Sequence, residues 1–171
     1  MISPLKKYFF IAILFPILSN AQSILESKIL QELNNYRNSF GLTSMHYDSL
    51  TSIASKHHSE WMNLTGVVSH FENSEMRHFH EILSLEDRNN HYGLQMISEI
   101  CTSVPSEGFL GHLTDDFIAA SVIESFASSP KHNDVMKMQF KNDFPVGVGI
   151  GAIKGKDGAW VTINFAILQE F

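Results

Sequence analysis

Apolar residues recur at helical spacing over two stretches in the first third of the chain. The first stretch opens with Ser23 and Glu26, which match a capping box, and a glycine suited to a left-handed helix end follows at Gly41. Its apolar positions are Leu25, Ile29, Leu33, Tyr36 and Phe40. The second stretch has Asp48 as N-cap and Gly66 as its end, and its predicted apolar stripe is Leu50, Ile53, Ala54, His57, Trp61 and Leu64. Two helices are therefore expected.

The middle of the chain predicts a mixture of elements. Residues 70–92 are polar and irregular, with some helical character over 78–85. Residues 94–104 alternate as a strand does. Thr114 or Asp115 can cap a third helix running through Phe126. Ser129 and Pro130 then predict a short fourth helix, with serine as N-cap and proline at the first helical position.

The C-terminal part predicts a β-hairpin, with strands over 146–153 and 159–168 and a glycine-bearing loop over 154–158. The predicted order is helices first, then a strand, further helices and a closing hairpin. This order indicates an α+β fold in which helices pack on an antiparallel-rich sheet.

Residues 1–21 match a cleavable signal peptide. Lys6 and Lys7 precede a short apolar run, and Ser19 and Ala21 supply the small residues before the expected cleavage. A retained anchor is the alternative, although the run is short for a bilayer, which takes about 20 apolar residues. The remaining residues, 22–171, have the size of one domain. We therefore expect a single secreted or periplasmic domain with no later membrane segment.

Composition narrows the functional classes. The net charge of −6 argues against nucleic acid as a partner, because such proteins usually present a basic face. Cys101 is the only cysteine, so no internal disulfide can form. A buried thiol is the favoured interpretation, and an intermolecular disulfide is the alternative. The scarcity of cysteine also fits a bacterial envelope protein.

Three residues stand out among the groups that could carry chemistry. His70 follows a predicted helix end, where a loop can aim the side chain inward. His132 falls in the first turn of the fourth helix, where the positive end of the helix dipole favours a neutral imidazole. Glu99 lies within an apolar strand, so its carboxylate must be paired or ligated, or its pKa must rise. By contrast, His57 is interpreted as a semi-buried structural residue.

Five motifs in order along the chain resemble the bacterial CAP domain, also called the SCP-like extracellular domain. They are Leu33 to Arg37 with Gly41-Leu42, His58 to Met62 with Val67 to His70, Ser98-Glu99-Ile100, Phe126 to His132, and Val146 to Ile150 with the strand from Trp160 to Phe165. The resemblance implies an α-β-α sandwich with a cleft lined by His70, Glu99, Ser129 and His132. Ser129 replaces a glutamate of animal and plant members, and Ile100, Phe126 and Val135 also depart from the pattern.

Three functions fit these residues. The first is a secreted binding module whose cleft takes a small or lipidic ligand or a divalent metal such as zinc, with His70, His132 and Glu99 as ligands. The second is a metal-dependent, peptidase-like hydrolase with Glu99 as general base. The third is a structural or interaction domain in which the trio joins helices to the sheet. Imidazoles more than about 8 Å apart could not share one ion, since zinc–nitrogen distances are near 2 Å.

Overall fold

The computed structural model describes residues 22–72, 82–106, 113–139 and 146–168. In this part of the chain the helices are α1 (Ile24–Ser39), α2 (Ser49–Thr65), α3 (Leu85–Tyr92), α4 (Asp115–Ser128) and α5 (Pro130–Met136). The strands are β1 (His46–Tyr47), β2 (Met96–Pro105), β3 (Val146–Gly155) and β4 (Gly158–Ile167). The signal peptide predicted for residues 1–21 lies outside the described residues. No helix among the described residues is long and apolar enough to cross a membrane.

The strands form one sheet in the order β1-β3-β4-β2. The hairpin β3–β4 and the pair β2–β4 are antiparallel, and the short β1 pairs parallel with β3. The hairpin turn is tighter than predicted, because Gly155 already pairs with Gly158. In this sheet β2 is an edge strand, so residues from both layers of helices can approach it.

Helices cover both faces of the sheet. Residues of α1 and α4 join one core with Ile100, Ile150 and Ile163 of the strands. On the other face Trp61 and Met62 of α2 pack against Cys101 and Trp160. Because neighbouring residues of a strand point to opposite faces, this division places the sheet between two helical layers. The α+β prediction and the α-β-α sandwich are thereby confirmed.

The predicted helix starts agree with the structure. Ser23 and Glu26 form the capping box of α1, and the side chains of Asp48 and Thr114 accept N-cap hydrogen bonds at α2 and α4. Gly66 ends α2 with φ of 72°. Ser129 and Pro130 begin α5 as predicted, but the Ser129 side chain makes no capping hydrogen bond.

The buried face of α2 differs from the predicted apolar stripe. The side chains of Leu50 and Leu64 are 42% and 58% exposed. The buried face consists mainly of small polar residues together with one histidine: Thr51, Ser52, Ala54, Ser55, His58, Ser59, Trp61 and Met62. This face packs against Gly149 and Gly151 of β3, where an added Cβ would meet the α2 backbone at 2.3 Å. The side of α2 that is buried is therefore determined by the close approach of its backbone to β3. The spacing of its apolar residues does not determine it.

The polar stretch predicted to be irregular contains α3 over Leu85–Tyr92. Of the expected helical character over 78–85, residues 78–81 lie outside the described residues and 82–84 are not helical. Ser84 and Asp87 form a capping box, and Gly93 ends the helix. Arg88 is the buried residue of α3. The pattern of apolar residues did not predict α3, because the side chain that this helix buries is the charged Arg88.

Candidate functional site

The three residues singled out in the sequence meet at the edge of the sheet. Glu99 lies on β2, His70 in the loop after α2, and His132 in the first turn of α5. Nδ1 of His70 is 3.1 Å from Oε1 of Glu99. The rings of His70 and His132 lie edge-on to one another, with centroids 6.3 Å apart and an angle of 63° between their planes. We call the surface between these two rings the cleft.

His132 forms the side of the cleft carried by α4 and α5. Its ring packs edge-on against Phe126, with centroids 5.3 Å apart. Burial, with a further contribution from the charge of His70, lowers the pKa of His132. At neutral pH it therefore carries no charge. Ser129, the other predicted cleft residue on this side, is partly buried at the N-cap of α5.

The carboxylate of Glu99 is paired, as its place in an apolar strand required. Its Oε2 accepts a hydrogen bond of 2.6 Å from Nη2 of Arg88, and its Oε1 faces Nδ1 of His70. Burial would raise the pKa of Glu99, but the His70 hydrogen bond and the Arg88 charge lower it. Glu99 is therefore an ionised group that holds His70 in orientation.

The sequence did not single out the residues that complete this network. Nη1 of Arg88 donates to Oε1 of Glu72 at 2.7 Å, and the same oxygen lies 2.7 Å from Nδ1 of His58. We call His58, Glu72, Arg88 and Glu99 the buried charge cluster, and their side chains are at most 2% exposed. The cluster joins α2, the loop after α2, α3 and β2.

The partners of His58 establish its charge. Nδ1 faces the Glu72 carboxylate, and Nε2 lies 2.7 Å from the carbonyl oxygen of Ser69. Both partners are acceptors, so both ring nitrogens must carry hydrogen. Burial would lower the pKa of His58, but contacts with Cys101 and Glu72 raise it to about 9. The ring is an imidazolium stacked on Trp61 at 5.7 Å.

His70 is the point at which this network reaches solvent. Its side chain is 47% exposed. Contacts with Cys101 and Glu99 raise the pKa of His70 to about 10. Because Nδ1 is occupied by Glu99, the ring presents Nε2 as its second nitrogen, and this nitrogen is protonated at neutral pH. The cleft therefore combines a cationic imidazole with the neutral imidazole of His132.

The buried charge cluster should make the stability of the folded state depend on pH at both ends of the range. The pKa of His58 is about 9 when folded against a usual 6.5, so its contribution is complete below pH 6.5 and is lost as pH rises through 9. Burial opposes ionisation of Glu72, but hydrogen bonds from His57 and His58 lower its pKa to about 2 from 4.5. That contribution is complete above pH 4.5 and is lost as pH falls through 2.

We therefore expect the melting temperature to be highest near pH 4.5–6.5 and to fall on both sides. Thermal denaturation across pH 3–10 measures this profile. His58→Gln should flatten part of the alkaline decline, whereas the exposed His46→Gln should reproduce the wild-type curve. A His58→Gln curve parallel to wild type up to pH 10 would contradict the assignment of His58 as the buried cation.

The donor set fits a resident divalent metal poorly. The 6.3 Å between ring centroids lies within the limit set by the sequence argument, so His70 and His132 could share an ion. However, zinc sites use three or four protein ligands, and Glu99 already accepts from Arg88 and His70. Among the residues the structure describes, no group of three or more histidine, cysteine, aspartate or glutamate side chains is arranged to hold an ion.

Solved structures similar to this chain include the following two. One is an extracellular protein containing an SCP domain from Bacillus anthracis strain Ames, with 18% identity and a TM-score of 0.57. The alignment covers 83% of this chain and 40% of that protein, so the chain spans less than half of its length. The other is an outer surface protein from Borrelia burgdorferi, with 13% identity, a TM-score of 0.63, and 87% and 96% coverage.

Comparison of the sequence with known families and proteins does not assign the chain to a family. No protein-family model matches the chain, and no curated protein matches it either. At 18% and 13% identity the structural likeness concerns the fold alone. It agrees with the observed sandwich, and on this basis the chain has the fold of a CAP domain, or SCP domain.

Proposed function

We propose that the protein is an exported binding module of the SCP type whose cleft takes a small ligand with an anionic group and an apolar body. Export is supported by the signal-like pattern of residues 1–21. It is also consistent with the two neighbours in fold, one described as extracellular and the other as an outer surface protein.

One observation carries the anionic part of the proposal: His70 is half exposed while its Nδ1 is held by Glu99. With Nδ1 fixed and the pKa raised to about 10, Nε2–H is a charged donor on a half-exposed ring that lies beside the ring of His132. A carboxylate or phosphate oxygen is its natural acceptor. Such a hydrogen bond contributes about 1.5–3 kcal/mol, which is roughly a 10- to 150-fold change in affinity.

The apolar part of the proposal rests on the chain segment around His70. Large apolar side chains are exposed there, with Phe71 at 70%, and the set is Leu64, Val67, Val68 and Phe71. Large exposed apolar side chains gathered in one short segment are typical of binding surfaces. Because Phe71 is adjacent to His70 in the chain, one ligand could contact both.

Calorimetric titration with decanoate below its micellar concentration tests this function. We expect saturable binding to wild type, weakened at least about tenfold in His70→Gln, because the charged donor is lost. Decanol, which has no anionic group, should bind wild type and His70→Gln equally weakly. The exposed His46→Gln is the matched control and should bind decanoate as wild type does. Equal decanoate affinity in wild type and His70→Gln, or no binding at all, would rule out the proposal.

The hydrolase alternative has less support from the geometry. A general base must be free to accept a proton, and the pKa of Glu99 is lowered while both of its oxygens accept hydrogen bonds from the protein. The purely structural alternative has partial support, because Glu99 does join β2 to α3 through Arg88. It leaves the exposed face of His70 without a role.

A further inference from the structure

Arg88 is the residue through which α3 enters the interior of the protein. Its guanidinium is fully buried and donates to two carboxylates, Glu72 at 2.7 Å and Glu99 at 2.6 Å. A buried arginine bridging two carboxylates is costly to desolvate unless the charges balance. The balance of charges around Arg88 therefore determines whether the site can also bind a cation.

The charges of the buried cluster sum to zero. Glu72 and Glu99 are anions, because each accepts hydrogen bonds from cationic groups. Arg88 is a cation, and His58 is a second one, since both of its nitrogens face acceptors. A divalent ion bound at His70 and His132 would add positive charge beside a cluster that has no net negative charge to offset it.

We propose that Arg88 is an internal cation that takes the place of a metal ion in this site. It neutralises Glu99 and holds it against Nδ1 of His70, so the protein fixes the orientation of His70 with its own side chain. Arg88 is thus a positioning residue, and the cleft operates without metal. This role is independent of which ligand the cleft binds.

Zinc titration of the wild-type protein by calorimetry tests the proposal without any cleft ligand. Exposed histidines elsewhere can bind zinc weakly, so His70→Ala and His132→Ala provide the background. We expect the wild-type heat to equal that of both variants. A chelator wash should leave the melting temperature unchanged. Stoichiometric zinc binding in wild type that disappears in His70→Ala would overturn the proposal.

Substitution of Arg88 provides a second test of the proposal. Arg88→Gln leaves two carboxylates with one imidazolium, and we expect saturating zinc to raise its melting temperature by about 5 °C. Arg88→Lys keeps the charge and should respond as little as wild type does. A folded Arg88→Gln protein that zinc does not stabilise would count against the proposal. If Arg88→Gln does not fold, recovery with zinc supports the proposal, and otherwise the wild-type titration decides.

Discussion

Arg88→Met should lower the free energy of unfolding by about 3–5 kcal/mol, the cost of removing one partner from a buried ion pair. The methionine fills much of the volume, but Glu72 and Glu99 lose their shared donor and remain as buried carboxylates. The variant also removes the buried side chain of α3, and the two hydrogen bonds between Asn89 and the Met96 backbone then remain between α3 and β2. For a domain of ordinary stability this is a large fraction of the total.

Urea denaturation followed by circular dichroism measures this loss. Lys28→Met is the matched control, because Lys28 forms an exposed ion pair with Asp116 across α1 and α4, and such pairs contribute about 0–1 kcal/mol. Adding Glu99→Gln to Arg88→Met removes one of the two carboxylates that Arg88 neutralised and should recover part of the stability. A loss below about 1 kcal/mol in Arg88→Met would mean that the cluster does not hold the fold together.

Gly151→Ala should strongly destabilise the packing of α2 on the sheet. A Cβ at Gly151 would lie 2.3 Å from the backbone carbon of Ser55 and 2.3 Å from the backbone nitrogen of Lys56. These atoms belong to the interior of α2, so relief requires the helix to move away from β3. Overpacking of this kind costs about 1–3 kcal/mol and sometimes more.

Gly155→Ala is the control on the same strand. Its added Cβ would meet the side-chain amide oxygen of Asn63 at 1.8 Å, and that side chain can rotate away. Thermal melts of both variants should therefore show a distinctly larger drop for Gly151→Ala. Equal drops would indicate that α2 is not held against β3 by backbone approach.

Much of the architecture followed from local signals in the sequence. Ser23, Asp48, Thr114 and Gly66 marked helix ends because capping is a property of the few residues around each end. The strand and the hairpin followed from alternation. The layered arrangement came from the resemblance to the CAP domain, since local patterns do not determine which helix covers which face of the sheet.

The parts that escaped prediction depend on contacts distant in sequence. α3 has no apolar stripe, and a lone arginine is normally a surface residue. Its burial becomes favourable only when Glu72 and Glu99, from two other segments, converge on it. The sequence likewise favoured His57 as the structural histidine, because the contact between His58 and Glu72 involves a segment outside the helix. The need for a partner at Glu99 was foreseen, but the identity of that partner was not.

Cys101 offers a built-in chemical reporter of this site. The thiol is buried, with its sulfur 3.7 Å from the carbonyl oxygen of Ser69 and 3.8 Å from Nδ1 of His70. We therefore expect a thiol reagent to reach it when the loop carrying His70 separates from β2. Since the chain has one cysteine, labelling yields a single product whose rate measures how often that loop opens. Ligands that bind the cleft would then be detectable as protection of Cys101, whatever their chemistry.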